Sequence, residues 1–295
     1  MMARSQSPLP TAVGRGDWDR PMHAYHRSMR FLVVVSALAC IWSYGTTLRG
    51  RKVQVEGARG VDLETHVLNR DSSTDWKERR AEYAARVAKT ADPEVRNDYA
   101  VTLLHTGETA EAIRILRALE KERPGRYETA VNLGTALELA GQNAEALRWI
   151  REGIRRNSNA HDGTEWLHVR ILEAKLALAR DPKWLATHSI VGLDFGQDVV
   201  PKKLHFWPDD NRGREATPSV VRRAFYYQID ERVDFVKPPD PVFAGLLFDW
   251  GNLEMLTGTL ETAEVLYVEA LQYRPQNESL LRARLAHVRK LLKKK

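Results

Sequence analysis

Between Glu128 and Ile150 the chain reads ETAVNLGTALELAGQNAEALRWI, with Leu133, Gly134, Ala146 and Ile150 at helical intervals and Gly141 between the two runs. This pattern predicts an amphipathic helical hairpin. Ala100, Gly107, Ala112 and Leu116 precede Gly134, Gly141, Ala146 and Ile150 by 34 residues each, so the hairpin repeats. A small residue in the first helix lets the second approach closely, the Gly relieves the turn, and the Ala packs into the gap. Pro124 stops the first unit by withholding a backbone donor, and Ser158 stands at the matching place in the second. A third copy runs from Ala244 to Asn277, with Trp250, Gly251, Gly258, Ala263, Tyr267, Ala270 and Pro275 in the same order.

The rest of the chain fits around these copies. DWKERRAEYAARVAKTAD predicts an N-terminal helix, and ESLLRARLAHVRKLLKKK a terminal capping helix with Leu281, Leu285 and Val288 on one stripe and charges elsewhere. Asp162 to Asp181 predicts one long helix with Trp166, Val169, Leu172, Leu176 and Ala179 on its apolar side, the first half of a hairpin whose second half has degenerated. Asp181 to Pro218 shows scattered Pro and Gly without a period and is expected to be a long ordered loop, with Phe206 and Trp207 plugging it into the stack. Ser219 to Val236 predicts a helix with Ser as N-cap, stopped by KPPDP. About nine helices in one continuous stack are expected.

With its 34-residue unit and recurring Gly/Ala/Ala/Pro positions, the chain resembles the tetratricopeptide repeat (TPR) family. That resemblance implies an all-α fold, a right-handed superhelical stack of antiparallel helix pairs (a TPR-like α-solenoid), here with an irregular insertion. ALACIW, TEWLHVRILEAKLAL, IVGLDFG and VKPPDPVFAGLLFDWGNLEMLTG add a looser similarity to bacterial exported or envelope-associated TPR proteins that lack an assigned biochemical role. The family lines its concave face with the first helix of each unit. The resemblance therefore implies a protein-binding groove formed by Asn97, Val101, Leu104, Val131, Asn132, Thr135 and Glu138, with solvent or the adjacent helix as the other place for some of them. Some members grip a C-terminal carboxylate there. Asn132 fits that pattern, but Val101 and Thr135 stand where Asn is needed and no Lys or Arg is beside them, so a carboxylate clamp is not expected.

Charge and cysteine change the picture mainly at the N-terminus. The 295 residues carry 45 basic and 39 acidic side chains, a net charge of +6 partly gathered at the two ends, which is read as solubilising; no nucleic-acid partner is expected. Cys40 is alone, which excludes an intramolecular disulfide or a multi-Cys zinc site. Residues 1–30 form a basic segment, with translation from Met22 or Met29 as an alternative start. Residues 31–48 are then an uncharged run read as a signal-peptide h-region or a membrane anchor, and 49–73 as a linker. Ala37-Leu38-Ala39 precedes Cys40 as a processing site, and Cys40 is the residue a lipoprotein signal would lipidate, although the order of Leu and the small residue departs from a lipobox. A buried segment of a cytosolic protein is the remaining alternative. Helical repeats are expected over 74–160, a degenerate repeat with the insertion over 161–240, and a last repeat with its cap over 241–295.

The chain has no His-Glu-x-x-His pair, no Gly-x-x-x-x-Gly-Lys loop and no Gly-x-Ser-x-Gly elbow. His161, Asp162 and His168 could meet on a surface, and His188, His205, Asp209 and Asp210 could converge in the insertion, but neither set predicts a metal site or catalysis. The expectation is a non-catalytic scaffold or adaptor for a protein or peptide partner, without a cofactor or metal. It would be exported or anchored at the cell envelope, touching membrane through its N-terminal segment if that is uncleaved or lipidated. The alternatives are an envelope enzyme or metal-binding protein with its site in 181–218, and a cytoplasmic adaptor.

Overall fold

A computed structural model describes residues 75–294, all within one compact unit. The expected basic segment, targeting segment and linker, and with them Cys40, lie outside the described residues. Among the described residues eleven helices form and no strand. They are α1 (Trp76–Val87), α2 (Pro93–His105), α3 (Thr109–Glu122), α4 (Tyr127–Leu139), α5 (Asn143–Arg156), the single turn α6 (Ala160–Gly163), α7 (Glu165–Arg180), α8 (Pro218–Arg232), α9 (Pro241–Thr257), α10 (Leu260–Gln272) and α11 (Glu278–Leu292). None is long and apolar enough to cross a membrane. The fold is an all-α, solenoid-like stack in which adjacent helices pack in pairs.

Local chemistry sets the boundaries. Asp75, Asp92, Asp240 and Thr259 each place a side-chain oxygen on a free amide of the following first turn, and Pro93 and Pro241 occupy first-turn positions where a missing N–H costs nothing. At α8 the cap is Thr217, which accepts from the Val220 amide, and Pro218 is already helical; the helix starts before the expected Ser219. Gly107 and Gly141 adopt φ of 85° and 74°, the left-handed turn expected of them. Gly258 differs, with φ −126° and ψ −135°, and there a Cβ would strike the Glu254 carboxylate instead.

The pairing contacts fall at a constant interval. A Cβ added to Gly134 would come 2.5 Å from Ile150 Cδ1, and one added to Gly251 would come 2.7 Å from Tyr267 Cδ1, sixteen residues on in each case. Two cores result. The N-terminal one gathers Leu103, Leu116, Leu133, Leu137 and Ile150; the C-terminal one gathers Leu167, Phe225, Phe243, Trp250 and Tyr267. Helix α7 belongs to both, giving Leu172 to the first and Trp166, Leu167, Ile171 and Ala174 to the second. Its buried side is therefore not the expected stripe: Val169 and Leu176 are half-buried and Ala179 is exposed, because α7 is covered from two directions.

The insertion is irregular, as expected, with one 3₁₀ turn (Trp184–Ala186) and a single bridge between Asp209 and Glu215. It packs through Leu185, Ile190, Val191, Leu193 and Phe195. Phe206 is no plug: it stands 73% exposed, while Trp207 is half-buried against the core. The cap helix α11 buries Leu281, Leu285 and Val288 as expected, but Arg284 joins them inside, wholly buried. Its guanidinium donates to the carbonyls of Phe195, Gly196 and Asp198 and so fastens the insertion to the end of the stack.

Candidate functional site

The inner faces of α2 and α4 carry the residues expected to form a groove. Asn97, Val101, Leu104, Val131, Asn132 and Glu138 are buried and Thr135 is half-buried. The chain itself supplies part of the cover. From the last residue of α8 the segment Arg232 to Val236 reaches this face: Arg232 donates to Glu138 at 3.2 Å, Asp234 lies 3.8 Å from His105 Nδ1, and Phe235 tilts against the His105 ring at 4.5 Å. Trp76 of α1 also stacks on that imidazole, at 3.5 Å. Both amide atoms of Asn132, the Asn97 carbonyl oxygen and the Thr129 hydroxyl are buried without a hydrogen-bond partner.

At the end of the face near α7 lies a buried network of charges. Glu138 Oε2 meets His168 Nε2 at 2.6 Å, and its Oε1 meets Lys175 Nζ at 2.7 Å. His168 Nδ1 turns to Glu165 at 3.2 Å, and the other oxygen of Glu165 holds His161 Nδ1. His161 also stacks on Tyr227 at 4.9 Å. The two histidines thus meet through Glu165, in the interior rather than on the surface where their spacing suggested. Asp162 stays outside, paired with Arg223.

Electrostatics follows from this arrangement. Burial alone would raise the Glu138 carboxyl, but Arg232, Lys175 and His168 outweigh it and hold the group well below the usual carboxylate range. Burial likewise opposes charge on Glu165, and His161 and His168 overcome it. For His161 burial works toward the neutral ring; the charges of Glu165 and Glu231 win and hold its pKa up at about 9. His168 is raised as well: burial and Arg232 press downward, and Glu138 and Glu165 prevail.

The backbone that makes this possible is unusual. His161, Asp162 and Gly163 have φ of 50°, 56° and 77°, three consecutive left-handed residues ahead of α7. The expected helix from Asp162 therefore starts at Glu165. Asn211 of the insertion braces the turn, accepting from the Trp166 amide at 2.6 Å and donating to the Ser158 carbonyl at 3.2 Å.

A second feature lies between the insertion and α9. A cavity of about 560 Å³ is walled by Trp184, His188, Phe195, Asp249, Asn252 and Arg284 among others. Asp249 Oδ2 accepts from the Ile190 amide at 2.7 Å, the Ser189 hydroxyl at 3.0 Å and the Val191 amide at 3.2 Å. Burial pushes its carboxyl up to about 7, against those three bonds and the Arg284 charge, all of which favour the ionised form. His188 stacks on Trp184, Asp210 pairs with Arg214, and His205 and Asp209 are exposed, so the four insertion residues are not gathered into one cluster.

Asn97, Val101, Leu104, Val131, Asn132, Thr135 and Glu138 do share one region, but Glu138 serves as an ion-pair hub there rather than an open wall residue. Glu165, Lys175 and Arg232 have no signature in the sequence beyond ordinary helix-surface charge. The pair His161 and His168, seven residues apart, was the one visible sign. No protein-family model matches the chain, and no curated protein is significantly similar to it.

Proposed function

We propose that the chain is a non-catalytic protein-binding scaffold of the tetratricopeptide kind, held at the cell envelope through its N-terminal segment. The observation that carries this is the repeated pairing contact, Gly134 against Ile150 and Gly251 against Tyr267. It supplies the close helix approach a repeat array needs, and such arrays work as extended binding surfaces. The bound segment takes the seat on α2 and α4 that Phe235 now fills, where Asn97, Asn132 and Thr135 offer amides and a hydroxyl to its backbone.

A photo-crosslinker at Thr135 in the full chain, expressed in cells, tests this. One recurrent crosslinked partner protein is expected, in higher yield when Phe235→Ala clears the seat. Crosslinks only to other copies of the chain, or none, would sink the scaffold reading. Intact-mass analysis of the same material tests the location: a mature chain starting at Cys40 is expected, and an intact N-terminus in the soluble cytosolic fraction would remove the envelope assignment.

The cavity beside Asp249 favours a second reading, an activity or small-ligand site walled by the insertion. A small-molecule library screened by thermal shift against the native chain and Asp249→Asn would show hits lost in the variant; hits equal in both would count against this cavity.

A further inference from the structure

We infer that His161, Glu165 and Glu231 form the binding site for one divalent transition-metal ion, which ties α8 to the turn ahead of α7. Each offers a ligand atom, and these atoms all lie within 4.8 Å of one another; His161 and Glu165 are fully enclosed and Glu231 is half-buried. Among the described residues this is the one group of His, Cys, Asp and Glu side chains so gathered. A tetrahedral zinc shell has its ligands about 3.3 Å apart, so rotations of the Glu165 side chain on α7 and the Glu231 side chain on α8 toward His161 bring the three to coordinating distance. A water completes the shell.

The donor set selects the class of ion. One imidazole nitrogen with two carboxylate oxygens suits zinc or cobalt, whereas calcium and magnesium prefer shells made of oxygen alone. The surroundings are those of a supported site. Glu165 is oriented by His168, His168 by Glu138, and Glu138 by Lys175 and Arg232; Tyr227 stacks on the His161 ring. Such outer partners fix the direction in which a ligand presents its atoms. The left-handed turn at His161 and Asp162 folds the imidazole back over the first turn of α7, to Glu165. The ion takes the place of a proton: His161 binds as a neutral ring, and its proton leaves to solvent.

The function proposed above does not depend on this site, and the two can fail separately. The experiment strips the full-length chain with a chelator, then titrates Co²⁺ with Zn²⁺ in competition and Mg²⁺ as comparator. Expected are one cobalt per chain, a visible absorption band that Zn²⁺ abolishes, and a higher Tm with Co²⁺ or Zn²⁺ but not with Mg²⁺. Glu231→Gln should weaken binding by about tenfold or more while the helical circular dichroism is kept. No band and no change in Tm for the native chain would overturn the site and leave a network held by protons, and unchanged affinity in Glu231→Gln would place the ion elsewhere. Should that variant not fold, X-ray absorption of the cobalt-loaded native chain decides: one imidazole among oxygen ligands supports the site, and two or more imidazoles overturn it.

Discussion

Gly251 of α9 lies against the ring of Tyr267 of α10, and the hydroxyl of that tyrosine donates to Asn252, the next residue, at 2.7 Å. The tyrosine is wholly buried, so the glycine makes room for the ring and the asparagine satisfies its polar end. Gly251→Ala puts a methyl 2.7 Å from Tyr267 Cδ1, closer than packed carbons come, and the ring has a core around it on the other side. A loss of about 2 kcal/mol is expected in urea denaturation. Unchanged stability would mean that α9 and α10 can separate at little cost.

Glu138 carries a larger penalty. It faces buried His168 and Arg232 and half-buried Lys175, so Glu138→Gln leaves these three donors around a neutral amide. Breaking one side of a buried pair costs roughly 3 kcal/mol or more. Equilibrium denaturation of the variant checks this, and a shift no larger than that of an exposed control such as Glu111→Gln would show that water already reaches the network.

The Asp249 carboxyl gives the fold a pH dependence whose sign can be worked out. Its folded pKa, pushed up to about 7, exceeds the ordinary value of an unfolded aspartate, so the folded chain keeps this proton to higher pH. Its contribution to stability falls as pH rises from about 4 to about 7 and is level above that, on the order of 4 kcal/mol over the range. Asp249→Asn retains an oxygen for the Ile190 and Val191 amides and removes the titration. Urea curves at pH 5 and pH 8 should lie closer together for the variant than for the native chain; equal separation in both would show that Asp249 is ionised throughout.

Arg284→Met tests the fastening of the insertion. Three backbone carbonyls lose their donor, a loss of about 2 kcal/mol or more, and the amides near Gly196 should exchange hydrogen faster while those in α4 do not. Uniform acceleration along the chain would instead indicate a global loss of stability.

What could be read in the sequence follows from what periodicity encodes. Gly134 and Ile150, or Gly251 and Tyr267, belong to neighbouring helices, and neighbours leave their mark as spacing. The helices, the irregular insertion and the capping stripe were legible for the same reason. Arg284 was not, because one charged side chain among apolar stripe residues looks like solvated surface until the carbonyls of Phe195 to Asp198 are brought over it. Phe206 failed in the opposite direction: an apolar side chain need not find a core. The network from Glu138 to Arg232 joins residues 94 positions apart and lies on no single helical face, so no pattern along the chain announces it. His161 was visible as a residue, but its left-handed backbone, which turns it inward, was not.

An array whose units touch only their sequence neighbours can fray from its ends one unit at a time. The strap from α8 to α4 and α2 removes that freedom here. Opening the second to fourth helices from the rest also strips Arg232 and Phe235 from their places, so the first pairs cannot melt while the later ones stay whole. Heat should therefore take residues 93–236 apart in one cooperative step, and a cut in the insertion should loosen helices more than forty residues upstream of it.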